Sequence, residues 1–154
     1  MQQISRSILL PYSKQNLFDL VNDISRYPEF LPGCSGSSIL QETDGGVLAR
    51  LSLKKAGINY ELTTNNSIYP PDRIEMELVE GPLDKLEGSW FFSSLGASGC
   101  KVEMTLNYEL KGKLFNKTLG KILTGSVEMV VDAFSRRADV LYGKKKENEL
   151  AEIR

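Results

Sequence analysis

Apolar and polar residues alternate through most of this chain, and near its end the alternation gives way to a spacing of three and four. In RIEMELVE, residues 73–80, Ile74, Met76 and Leu78 share one face, while Arg73, Glu75 and Glu77 take the other. Residues 47–54 repeat this with Val47, Ala49, Leu51 and Leu53 against Arg50, Ser52 and Lys54. Ile58, Tyr60, Leu62 and Thr64 share a face in the next segment. Leu86, Gly88, Trp90 and Phe92 share one in the segment after Gly81-Pro82, and Val102, Met104, Leu106, Tyr108 and Leu110 share one in the last. A period of two with one apolar and one charged face predicts an antiparallel sheet solvated on one side. The other side needs a cover.

The cover is predicted from Lys113 to Tyr142. Phe115, Leu119, Ile122, Ser126, Val130, Phe134, Ala138 and Leu141 recur at helical spacing, and Lys113, Lys117, Lys121, Glu128, Arg136 and Asp139 fall mostly elsewhere. A long helix after a run of antiparallel strands buries its stripe by lying across the concave face of a curved sheet. That arrangement encloses a cavity, and a cavity suggests a ligand. Gly120 and Gly125 each cost a helix about 1 kcal/mol against Ala, which points to a kink or a close approach to the sheet.

Ahead of the strands, residues 3–10 read as a first strand ended by Pro11. Ser13 is placed to cap a helix over Lys14–Asn22, whose apolar residues are Leu17, Phe18, Leu20 and Val21. Ile24–Leu31 reads as a second short helix interrupted by Pro28. A PGCSG loop follows, then a strand over Ser37–Glu42 and the hairpin signal TDGG. Strands grouped together with helices toward the ends predict an α+β domain over residues 1–143, with six to seven strands in a curved antiparallel sheet. Residues 144–154 (KKKENELAEIR) form a charged tail in which three glutamates partly cancel the lysines.

Composition narrows the chemistry. There is no histidine, so the commonest general base and metal ligand are missing. The net charge of −1 does not favour binding through nucleic-acid phosphates, and no DNA partner is expected. The two cysteines, Cys34 and Cys100, lack metal-type spacing. Cys100 reads as core and Cys34 as an exposed loop thiol. The glycines match neither GxxxxGK[ST] nor GxGxxG. No apolar run reaches the roughly 18 residues a membrane span requires. The first residues read as a strand and not a presequence, so a complete, cytoplasmic chain is expected.

The inward apolar set is the candidate site. It comprises Leu51 and Leu53, Tyr60 and Leu62, Met76 and Leu78, Trp90 and Phe92, Met104 and Leu106, with Val130 and Phe134 from the helix. Pockets for apolar ligands are lined mainly by such side chains, and methionine and aromatics adapt to flexible guests. Tyr60, Thr64 and Asn66 are the polar residues that stand out on the inward phase of their strand.

Three stretches, DISRYPEFLPGC at 23–34, GPLDKLEGSWFF at 81–92, and CKVEMTLNYEL at 100–110 followed by VDAFSRRADVLYG at 131–143, resemble a known family when taken in this order. They resemble the coenzyme Q-binding, polyketide-cyclase-like branch of the START superfamily, whose bacterial members are named ribosome-association toxins. The resemblance spans about Gln3 to Gly143. It implies a helix-grip fold, an apolar tunnel for ubiquinone or a similar isoprenoid lipid, and no catalytic cofactor. It also implies that Tyr27, Phe30 and Leu31 of YPEFLP lie near the tunnel mouth. Leu83 and Leu110 stand where the family often has Phe, exchanges that bear on ligand shape more than on fold.

Three functions follow as expectations. The first is a non-enzymatic quinone or lipid carrier supporting respiration, with transient contact at the inner-membrane surface. The second is a toxin that binds the large ribosomal subunit and blocks subunit association, for which Lys111, Lys113, Lys117 and Lys121 offer a basic stretch. The third is a cyclase-type enzyme, which requires an inward polar group with a shifted pKa.

Overall fold

A computed structural model describes residues 2–55, 57–109 and 116–143, with side chains undescribed over 116–124. Seven strands form one antiparallel sheet: β1 (Gln2–Leu10), β2 (Cys34–Thr43), β3 (Gly46–Lys55), β4 (Ile58–Tyr69), β5 (Arg73–Glu80), β6 (Lys85–Leu95) and β7 (Gly99–Glu109). Their spatial order is β1-β7-β6-β5-β4-β3-β2, so the first two strands are the two edges and the remainder is a meander. Register shifts between Cys34 and Gly36, between Ile39 and Gln41, and between Thr63 and Thr64 accompany the curvature of the sheet.

The link from β1 to β2 is helical. Helix α1 (Lys14–Asn22) begins at Ser13, whose Oγ accepts from the Asn16 amide at 3.2 Å. A 3-10 segment, Ile24–Glu29, holds Pro28 inside it. Helix α2 (Asn116–Ala138) crosses the concave face and ends in a π turn, Asp139–Gly143. Two residues of the sheet fix the crossing. Arg6 of β1, on the inward phase, reaches Glu128 at 3.5 Å and Asp132 at 3.7 Å. Lys55 of β3 donates to Ser126 Oγ at 3.0 Å.

The charged faces of β3, β5 and β7 point outward, as their alternation predicts. Among the described side chains of α2, the buried ones are Val127, Val131, Ala133, Phe134 and Ala138. The core stripe therefore runs one position beyond Ser126 and Val130, which lie on its shoulder. Leu141 departs further. It is 44% exposed, because the π turn has rotated it off the sheet. Phe115 and Leu110 lie outside the described residues, as do the side chains of Leu119 and Ile122.

Cys34 is not the exposed loop thiol its Pro-Gly context suggests. It opens β2, pairs with Leu53, and is 7% exposed. Cys100, across from Leu10 and Ser94, is fully buried.

Candidate functional site

The concave face divides into two halves of different character. At the β1, β7 and β6 end it is closed. Phe92, Met104 and Leu106 are buried there, joined by Leu17, Phe18 and Val21 of α1 and by Leu31. Edge-to-face rings carry the packing. Phe134 of α2 meets Trp90, Tyr27 and Phe30 with centroids 5.2, 5.3 and 5.2 Å apart. Tyr27 donates its hydroxyl to the Val21 carbonyl, and burial, with the charges of Cys34 and Asp23 behind it, pushes its phenol far above the usual range. The void left here is about 10 Å³, walled by side chains such as Leu10, Leu20, Trp90, Val131 and Phe134. That is the scale of a single water, and the lining is apolar.

At the β3–β5 end the cover is uneven, with Ala49 and Ile74 buried on the same face. Leu51, Leu53, Tyr60, Leu62, Met76 and Leu78 all lie on the inward phase and all are half-buried, as are Leu86 and Val130. At Gly88 two neighbouring side chains fill the place of the missing one. A Cβ at Gly88 would stand 2.6 Å from Met76 Cε and 2.9 Å from Leu106 Cδ2, so the missing side chain leaves room for both. Asn66 is set among these apolar residues. It is 5% exposed, and Thr64 donates to its Oδ1 at 2.8 Å.

The site set read from the sequence is thus split. Trp90, Phe92, Met104, Leu106, Phe134 and Leu31 belong to the closed core. Tyr27 and Phe30 belong to the aromatic cluster that seals it. The other seven face the half-open side. Inward phase alone could not separate these groups, since closure depends on where α1 and the 3-10 segment land. Arg137 carried no distinguishing signal in the sequence. It bonds Glu29 at 3.1 Å and lies 5.2 Å above the Phe30 ring, tying α2 to the 3-10 segment.

Ionisable groups in the site are held in quiet forms. Burial raises the thiols of Cys34 and Cys100. Burial likewise raises Tyr142, aided by Asp19 and Asp23. Glu29 is lowered, chiefly by its hydrogen bond from Arg26. Among the described residues there is no cluster of three His, Cys, Asp or Glu side chains able to hold a metal ion.

The profile of the polyketide cyclase / dehydrase and lipid transport family matches residues 10–135. The chain belongs to this family. Within it, the chain is 44% identical to the ribosome association toxin RatA of Vibrio cholerae over 144 residues, which are 94% of this chain and all of that protein. It is 45% identical to the RatA of Pseudomonas aeruginosa, over 91% of this chain and 97% of that protein. The mitochondrial coenzyme Q-binding protein COQ10 homolog B of Xenopus laevis is 26% identical, over 93% of this chain and 60% of that protein.

Solved structures agree on the fold. A START superfamily protein of Mycobacterium smegmatis superposes with a TM-score of 0.80 at 22% identity, covering 90% of this chain and 98% of that one. The Streptomyces aromatase/cyclase Zhui gives 0.82 at 16% identity, covering 90% and 93%. The helix-grip fold and the family resemblance read from the sequence both hold. Among the described residues, no helix is long and apolar enough to cross a membrane.

Proposed function

We propose that this protein is a non-enzymatic carrier that holds an isoprenoid quinone or a similar apolar lipid against the β3–β5 half of its concave face. The observation that carries this reading is the contrast between the two halves. Inward residues of β6 and β7 such as Trp90, Phe92 and Val102 are buried, whereas Leu51, Leu62, Met76 and Leu78, on the same face, are half open. Apolar surface gains about 25 cal/mol per Å² when it leaves water, so a long apolar guest there stabilises the complex. The lipid-transport description of the family and the name of the Xenopus relative point the same way.

Several observations favour binding over catalysis. The buried thiols and the Tyr27 and Tyr142 phenols are all held more firmly protonated, which suits neither a nucleophile nor a base at neutral pH. The relatives with appreciable identity are named as toxins or as a coenzyme Q-binding protein, and the cyclase likeness is one of fold. Trp90 is the single tryptophan, and it lies one inward position from Gly88 in β6. Titration with a short-tailed ubiquinone is expected to quench Trp90 fluorescence saturably at one equivalent. A linear, non-saturating response equal to that of free indole contradicts the proposal.

A second role is favoured by the full-length likeness to RatA at 44% identity. In this role the outer surface of the protein binds the large ribosomal subunit in the cytoplasm and hinders its joining to the small one. The two roles use different faces and are compatible. Purified protein added to separated subunits is expected to lower the fraction of joined ribosomes in a sucrose gradient. An unchanged fraction at saturating protein removes this role.

A further inference from the structure

Asn66 is a buried polar residue on the concave face. Its register partners are Val47 in β3 and Met76 in β5, both apolar, and its neighbours on the same face of β4 are Thr64 and Ile68. The side chain is almost wholly buried. Thr64 Oγ1 donates to Asn66 Oδ1 at 2.8 Å, which fixes the plane of the amide and leaves Nδ2 as the other end of the group. Nδ2 makes no hydrogen bond to another described residue, and unlike Arg137 Nε it is not sealed from solvent. A ligand that covers this part of the face takes the donor out of water, which is costly unless the ligand brings an acceptor. Asn66 therefore holds an oriented donor, still reached by solvent, among half-open apolar side chains.

We infer that Asn66 Nδ2, oriented by Thr64, donates a hydrogen bond to a carbonyl oxygen on the head of the bound apolar ligand. The inference rests on the reading of the β3–β5 half as the ligand site, and it narrows the ligand class. A quinone ring has carbonyl acceptors conjugated to an otherwise apolar body, and it satisfies the amide while its tail covers Leu51, Leu62 and Leu78. A hydrocarbon of the same size leaves the donor unsatisfied, and an aryl ether, a poorer acceptor than a conjugated carbonyl, satisfies it less well. Thr64 acts as a positioning residue: its hydroxyl keeps Oδ1 occupied and so turns Nδ2 toward the ligand.

The test compares two probes, a short-tailed ubiquinone and its analogue with both ring carbonyls replaced by methyl ethers. Wild-type protein is expected to bind the quinone about tenfold more tightly than the ether, the magnitude of one net hydrogen bond. Asn66→Leu is expected to erase that preference by weakening the quinone alone, and Thr64→Val to reduce it. A readout that needs no variant is the side-chain amide resonance of Asn66 in nitrogen-labelled protein. It is expected to move downfield with the quinone and not with the ether. Equal binding of both probes by wild type, with no such movement, overturns the donor role and leaves the apolar site standing. Failure of wild type to bind either probe overturns the site reading and the donor role together.

Discussion

Phe134 of α2 and Trp90 of β6 meet edge to face, with centroids 5.2 Å apart and planes at 75°. The contact closes one half of the concave face. Phe134 also receives Tyr27 and Phe30, so one side chain joins the helix, the sheet and the 3-10 segment. Phe134→Ala is expected to cost about 3–5 kcal/mol of stability. It also enlarges the small void that Phe134 lines, and urea unfolding followed at Trp90 reads the loss. A cost below 1 kcal/mol would mean that the ring cluster is not what seals this half.

The DGG turn between β2 and β3 separates two glycine requirements. Gly45 has a φ of +80° with open space around it, so Gly45→Ala meets only backbone strain of about 1–2 kcal/mol. Gly46 has an ordinary φ, but a Cβ there would overlap the Asn66 carbonyl oxygen on β4. Gly46→Ala is expected to cost about 3 kcal/mol and to be clearly the worse of the two in thermal unfolding. The reverse order would contradict the close approach of β3 to β4.

Glu29 makes the tie between the 3-10 segment and α2 sensitive to acid. Its carboxyl is lowered first by the hydrogen bond from Arg26, with Arg137 contributing further. A lowered folded-state pKa means that the stabilisation is present above the ordinary carboxylate range and lost as pH falls through the folded value. The stability difference between wild type and Glu29→Gln is expected to be level near neutrality and to shrink in acid. A difference independent of pH down to the acid transition would show that the pairing carries no charge-linked stability.

The two thiols behave in the opposite sense. Burial raises both, so folded Cys34 and Cys100 stay neutral at a pH where the unfolded thiols ionise. Stability contributed by these groups is present below the unfolded thiol pKa and is lost as pH rises above it. With Cys100 fully buried and Cys34 nearly so, a disulfide exchange reagent at pH 8 is expected to titrate neither until denaturant is added. Rapid labelling of one thiol in the native protein would place Cys34 outside the core.

Much of the fold was legible because its signals are local. Clean alternation fixed β5 at both ends, and Ser13 marked the start of α1, where its side chain indeed caps. The stripe of α2 was misplaced by one position at Ser126 and Val130, while Phe134 and Ala138 are buried as read, since residues 126, 127, 130 and 131 all satisfy a period of 3.6 within its tolerance. Only packing against β1 and α1 chooses Val127 and Val131. Cys34 was misread because Pro32 and Gly33 signal a turn, while the strand that buries the thiol is completed by pairing with distant Leu53. The division of the inward face into closed and half-open parts depends on tertiary placement, which no strand reports by itself. Asn66 drew notice in the sequence as an inward polar residue, but its free amide end emerges only from the bond that Thr64 makes.

The most direct measurement is on protein purified gently from its own host. Native mass spectrometry before and after organic extraction, with quinone analysis of the extract, reports what the concave face holds. A bound isoprenoid quinone near one per chain, lost on extraction, is the result predicted for a carrier. A chain that runs at its bare mass, yields no apolar guest and takes up no added quinone would contradict the carrier role and leave those half-buried side chains as ordinary core margin.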